Sequence, residues 1–262
     1  WMHVLLPAKL ERSQLTSPKN ATDKEKLDRK KLPKSAFLNI LGSLRRAVEK
    51  IEPRRKKTVW SGYANDNSYS DKTREEKHAF VGDFVKRTSP NVLIDLGCND
   101  GEYSFLSCEN GAGHVVGFEL DREATDRAFT QSHAKKAPYL PLIVDIANPS
   151  PSQGWLNQER TTLKSRLKSD ALIALAVIHH LVIGRNLPIR QVVEELMALA
   201  PKGVIEFVPK GDPMVDLMLL NREDIFPDYT FETFKSAIEA NGVIKRQMKL
   251  SDSTRTFIEY AR

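Results

Sequence analysis

Cysteine is nearly missing: Cys98 and Cys108 are the only two in 262 residues. A disulfide framework and a cysteine-rich zinc site are both excluded. The two thiols are expected to be reduced, as in a cytoplasmic protein. Long apolar runs are missing too. The longest, such as residues 171–178, fall far short of the ~20 residues that a membrane-spanning helix needs, so no membrane partner is expected. The opening Trp1-Met2-His3 lacks the basic-then-apolar pattern of a secretory signal. Methionine in second place leads us to expect that the sequence starts inside a longer chain. No internal repeat, no H-x-x-x-H and no cysteine cluster is present, so no metal site is expected. Compositional bias is also absent: 40% hydrophobic and 28% charged residues are ordinary for a globular protein and exclude a wholly disordered or collagen-like chain.

Charge is what the chain has in excess, and it is unevenly placed. The net charge is +6, yet residues 19–57 hold 14 Lys/Arg against 5 Asp/Glu, and residues 58–262 sum to −4. A nucleic-acid enzyme usually carries basic charge around its cleft as well. The basic region therefore reads first as a solvated arm, and second as a contact for RNA through Arg54, Arg55, Lys56 and Lys57.

Residues 1–32 read as a basic, polar linker or tail, with few apolar positions and Pro18. Residues 33–88 read as a helical extension. Phe37, Ile40, Leu41, Leu44, Val48 and Ile51 recur at helical spacing before Pro53, and a second helix over 73–87 turns Ala79, Phe80, Phe84 and Val85 inward. Residues 89–262 form the main domain. Strand patterns at 92–96, 114–120, 140–145, 170–177 and 203–208 alternate with helix patterns at 102–109, 122–133, 155–167 and 187–199. Near-continuous apolar strands joined by helices predict a parallel sheet covered on both faces. A helix at 230–240 leads into strands at 243–250 and 254–260. Only Ser251-Asp252-Ser253 separates those strands, which forces an antiparallel hairpin. The fold class is α/β.

The densest chemical signal is Asp95-Leu96-Gly97-Cys98-Asn99-Asp100-Gly101 after the first strand. Ligands of open α/β sheets sit at the carboxyl ends of the strands. Gly97 allows close backbone approach, Gly101 lets the loop enter a helix, and Asn99 tolerates a left-handed conformation. A dinucleotide loop would read G-x-G-x-x-G. Here two carboxylates suit a cation better than a diphosphate, and S-adenosylmethionine carries an ammonium and a sulfonium. Glu119 closes the second strand, where a carboxylate pairs with a ribose diol. Asp145 closes the third, placed to accept from an adenine amino group.

These residues resemble the first motif of the class I S-adenosylmethionine-dependent methyltransferases, D-x-G-x-G-x-G, with Asn99 in place of the middle glycine. The resemblance implies a Rossmann-like seven-stranded sheet of order 3-2-1-4-5-7-6 with strand 7 antiparallel. It also implies S-adenosyl-L-methionine as cofactor, with Asp95, Gly97, Cys98, Asn99 and Gly101 near its methionine end, Glu119 and Leu120 at the ribose, and Asp145 and Ile146 at the adenine. A narrower likeness, to bacterial methyltransferase-like proteins named after nodulation, rests on Asn148-Pro149-Ser150-Pro151 with Gly154-Trp155, Ile178-His179-His180-Leu181, Glu206-Phe207-Val208-Pro209-Lys210 and Asp224-Ile225-Phe226-Pro227-Asp228-Tyr229.

Methyl transfer needs an aligned nucleophile and little water. His179, His180 and Glu206 are the catalytic candidates. His179 is preferred as base because it lies nearer the end of the fourth strand. Glu206, inside a β-branched strand, must reach the cleft or meet a cation. Lys210 and Asp212 are expected at the substrate edge, together with Trp60 and Tyr63 from a lid. Tyr69 and Lys77 of the same segment are expected at the cofactor. The function expected is methyl transfer to O or N of a small-molecule or sugar-like acceptor. The alternatives are an RNA methyltransferase and a non-catalytic cofactor-binding scaffold.

Overall fold

Val92–Leu96 forms β1, and its side chains alternate between two apolar layers. Ile94 and Leu96 enter one core with Phe118, Leu172 and Ile205. Leu93 enters the other with Val115, Ala171, Ile173, Val204 and Phe257. That alternation is the period-two signature of a strand buried on both faces. The computed structural model describes residues 33–51, 71–220 and 222–262. Arg54, Arg55, Lys56, Lys57, Trp60, Tyr63 and Tyr69 lie outside the described residues.

The described residues fall into two units divided after Arg55. The first contains helix α1, Lys34–Glu49. The second opens with α2, Asp71–Thr88, followed by β1 and α3, Glu102–Glu109. Then come β2 (His114–Glu119), α4 (Arg122–Lys135) and β3 (Tyr139–Ile143). A short α5 (Leu163–Arg166), β4 (Ala171–Ala174), α6 (Ile178–Arg185) and α7 (Ile189–Leu199) lead to β5, Lys202–Phe207. The chain finishes with α8 (Pro213–Leu219), α9 (Phe231–Asn241), β6 (Val243–Lys249) and β7 (Thr256–Ala261). The sheet order is β3-β2-β1-β4-β5-β7-β6. β7 runs antiparallel to both β5 and β6, and the other pairs are parallel. The order reverses between β1 and β4, which opens a crevice at their carboxyl ends.

Three elements differ from expectation. The helix expected at 155–167 reduces to a 3-10 turn, Trp155–Asn157, and the four residues of α5. Leu156 and Asn157 take positive φ, and Gln153 bridges Arg160 across the turn. The strand expected at 170–177 stops at Ala174, and a helix starts at Ile178. α8 is a helix inside what reads as a loop. Asp212 nucleates it by accepting from Met214 N–H, with Pro213 in the first turn.

Candidate functional site

A cavity of about 370 Å³ opens at the β1/β4 reversal. Its floor is the loop after β1. Gly97, Asn99 and Gly101 take φ of 70°, 48° and 96°, the left-handed region that glycine and asparagine occupy most readily. Gly97 and Cys98 both donate to Phe118 O, and Gly101 N–H returns to Cys98 O. A β-carbon at Gly97 would lie 2.7 Å from Val177 Cγ2, and one at Gly101 2.7 Å from Tyr139 Cε1. The loop can therefore lie this flat against its neighbours only without side chains at those positions. Burial pushes the Cys98 thiol up, so Cys98 is a packing residue of the loop and not a thiolate.

Asp95, Glu119 and Asp145 all line this one cavity. Asp95 is buried and accepts from Ser104 Oγ at 2.6 Å. Burial raises its carboxyl to about 7, against the opposing bond from Ser104 and with the Glu119 charge adding to the rise. Glu119 Oε2 accepts from Asn99 N–H at 2.9 Å, and Oε1 from the N–H groups of Leu120 and Asp121 at 2.8 Å each. A carboxylate pinned at both oxygens is oriented before any ligand arrives; Oε1 already accepts twice, and Oε2 keeps one further lone pair. Asp145 Oδ1 accepts from Ala147 N–H at 3.0 Å, and Oδ2 from Arg185 Nη2 at 2.9 Å. Leu120 and Ile146 complete the wall beside these acids.

α6 decides the histidines. Val177, His180, Leu181, Gly184 and Arg185 line the cavity, the spacing of one helix face. Successive helical side chains point about 100° apart, so His179 turns away. It is fully buried, and neither ring nitrogen has a partner among the described residues. The preference for His179 as the cavity-facing base is therefore corrected: His180 is the one in the wall. Burial pulls His179 to about 2 and His180 to about 4, in both cases with Arg255 adding to the fall.

Glu206 and Asp212 are corrected as well. Glu206 shares the face of Val204 and Phe257 in the sheet, under α2, where every second residue is core. It is fully buried and meets Lys77 Nζ at 3.1 Å and Arg255 Nη1 at 3.7 Å. Of the two outcomes open to it, it meets a cation. Asp212 is buried in a two-bond pair with Arg255, at 2.7 and 3.0 Å, and does not stand at an open substrate edge. Lys77 lies on the inner stripe of α2 with Phe80, Val81 and Phe84, and it lines the cavity. Burial lowers its ammonium pKa, opposed by the Glu206 charge. Lys210 pairs with Asp224 at 2.6 Å and donates to Phe226 O, and it is not among the residues lining the cavity.

Arg185 and Arg255 are the functional candidates that the sequence reading passes over. Arg185 would emerge from the His180–Leu181 spacing once residues 178–185 are read as a helix. Arg255 has no local signal: it follows a hairpin turn and finds its partners across the fold. Among the described residues no group of acids, histidines and cysteines has the geometry of a metal site, and no helix is long and apolar enough to cross a membrane.

The strand order, the reversal and the acids at three successive strand ends define a Rossmann-like fold of the class I S-adenosylmethionine-dependent methyltransferase type. Solved structures agree on the fold. Magnesium protoporphyrin IX methyltransferase (ChlM) from Synechocystis PCC 6803, with bound SAH, superposes with a TM-score of 0.53 at 19% identity, covering 78% of this chain and 92% of that one. The bifunctional kinase-methyltransferase WbdD gives 0.51 at 17%, covering 83% and 46%. PH0226 protein from Pyrococcus horikoshii OT3 gives 0.54 at 15%, covering 79% and 99%. No protein-family model matches the chain. In sequence, the chain is a relative of nodulation protein NoeA of Rhizobium meliloti (strain 1021), 41% identical over 263 residues that span the whole of this chain and 55% of that protein. It thus covers about half the length of the curated relative it matches.

Proposed function

We propose that the chain binds S-adenosylmethionine and transfers its methyl group to oxygen or nitrogen of a small-molecule or sugar-like acceptor. The observation that carries this reading is the convergence of Asp95, Glu119 and Asp145 on one cavity floored by the left-handed Gly97–Gly101 loop. The residues fit the cofactor: Asn99 Oδ1 is buried without a partner among the described residues in the cavity wall, where a ligand donor would satisfy it. When bound, the cofactor supplies a methyl carbon on a cationic sulfur, open to in-line attack. Glu119 takes a hydroxyl of the ribose diol through the remaining lone pair of Oε2. Asp145 and Ile146 hold the adenine edge. Asp95 faces the ammonium, and a cation beside it favours its ionised form. Lys77 and Cys98 complete the methionine end.

The base role passes to His180. Its pKa, lowered by burial to about 4, leaves the imidazole neutral near pH 7 but weakens it as a base, so it takes the proton only as the new bond forms and the acceptor hydroxyl becomes strongly acidic. Leu175, Val177 and Leu181 exclude water around it. An amine acceptor would need only to arrive neutral.

Calorimetry with S-adenosylhomocysteine and NAD tests the cofactor. S-adenosylhomocysteine is expected to bind, and preferential binding of NAD would sink the reading. Incubation with methyl-labelled S-adenosylmethionine and fractionated cell extract then identifies the acceptor fraction. Binding without label transfer to any fraction would favour a non-catalytic scaffold.

A further inference from the structure

Helix α1 has a feature that methyl transfer does not use. Its 16 residues contain none that is buried, yet Phe37, Ile40, Leu41, Leu44 and Val48 follow one another at helical spacing along one side. Phe37 is 52% exposed, Leu41 45% and Val48 66%. Ile51, just past the helix, extends the stripe at 71%. Arg46 and the cap residue Lys50 lie opposite the stripe, while Lys34, Arg45 and the one acid, Glu49, flank it, with exposed Leu38 among them. The surrounding sequence deepens the sign: residues 19–57 hold 14 basic against 5 acidic side chains.

Three kinds of partner make different demands on such a helix. A protein groove or a second copy of the chain uses the apolar stripe but needs no basic surroundings. A nucleic acid uses the charge but needs no stripe of Phe and Leu. The surface of an anionic bilayer uses both at once. The apolar side chains enter below the headgroups, and the lysines and arginines sit among lipid phosphates. The Arg45–Glu49 pair, 2.8 Å apart, has side chains 81% and 55% exposed. It is weak in water, and the guanidinium can exchange its partner for a phosphate. A helix lying in the plane of the membrane requires no spanning length, so this reading is compatible with the lack, among the described residues, of a helix long and apolar enough to cross one.

We propose that α1 is an in-plane anchor that places the chain on an anionic phospholipid surface. The test is sedimentation of the whole chain with vesicles of phosphatidylcholine alone and of phosphatidylcholine mixed with phosphatidylglycerol, at low and high salt. Retention is expected on the mixed vesicles, weakening with salt, and little on the neutral ones. Leu41→Glu with Val48→Glu, and separately Arg45→Gln with Arg46→Gln, are each expected to lower partitioning about tenfold or more. Unchanged urea unfolding of the second unit serves as the folding control. No retention on the mixed vesicles overturns the proposal. So does retention that Leu41→Glu with Val48→Glu leaves unchanged, because charge alone, as for RNA, would then account for it. Self-association without vesicle binding, abolished by that same variant, also overturns it in favour of a second copy.

Discussion

His179 and His180 are neighbours in the chain and opposites in the fold. His179 is sealed in the core with both nitrogens unpartnered among the described residues, and its folded pKa of about 2 lies far below the ordinary 6.5. Between those values the unfolded chain binds a proton that the folded one refuses. Its contribution to stability is therefore intact above pH 6.5 and is lost as the pH falls. His179→Leu is expected to remove this sensitivity. Urea unfolding at pH 7 and pH 5 should show the parent losing about 2 kcal/mol more than the variant. Equal losses would mean that His179 is protonated in the folded state. His180 faces the cavity, and His180→Ala is expected to cut turnover of a hydroxyl acceptor by roughly 10²–10⁴-fold, with cofactor affinity little changed. Normal turnover would leave both histidines structural. Glu119→Ala should weaken S-adenosylhomocysteine by ~1–3 kcal/mol in calorimetry, the cost of a charged hydrogen bond left unmade. Unchanged affinity would refute the ribose assignment.

The turn from β1 into α3 works because two of its positions carry no side chain. Gly97 combines φ of 70° with a position where a β-carbon would lie 2.7 Å from Val177, the residue that precedes α6, so the loop after β1 and the start of α6 are set against each other through one missing methyl. Gly97→Ala is expected to cost roughly 1–2 kcal/mol from the left-handed backbone alone, plus the steric push on Val177. Adding Val177→Ala should recover the steric part and leave the backbone part. Thermal unfolding of the single and double variants separates the two contributions. Full recovery in the double variant would show that the backbone conformation carries no strain.

Across the whole molecule, a buried chain of alternating charge joins distant segments: Lys77 of α2, Glu206 of β5, Arg255 before β7 and Asp212 at the start of α8. Its members are at most 4% exposed. Two cations and two anions leave the group neutral, which is the condition for burying it. Lys77→Met should destabilise by roughly 3–5 kcal/mol, because Glu206 is left buried with only Arg255, 3.7 Å away and already paired with Asp212, as its cation. Replacing both, Lys77→Met with Glu206→Leu, is expected to restore much of that loss, since Arg255 keeps Asp212. Denaturant unfolding of the double-mutant cycle measures the coupling, and additive losses would show that the pair does not act as a unit.

The sheet was legible in the sequence because its signals are local. Each strand's apolar run, the short link from residue 250 to 254 and the Asp95–Gly101 spacing are all carried by neighbouring residues, and the strand order is what the resemblance to class I methyltransferases implies. The three strand-end acids were legible for the same reason: a strand's carboxyl end is a position in the chain before it is a position in space. What tertiary structure alone decided are the side-chain directions near the cleft. Whether residues 178–185 form a strand end or a helix depends on packing against β5 and α8, and that choice rotates His179 into the core and His180 into the cavity. Whether Glu206 reaches the cleft or meets a cation stays open in the sequence until α2 brings Lys77 over the sheet, 129 positions away in the chain. Arg255 and Asp212, separated by 43 residues, carry no mutual signal at all. A buried charge is tolerable only beside its counterion, and the fold, not the local sequence, brings the two together.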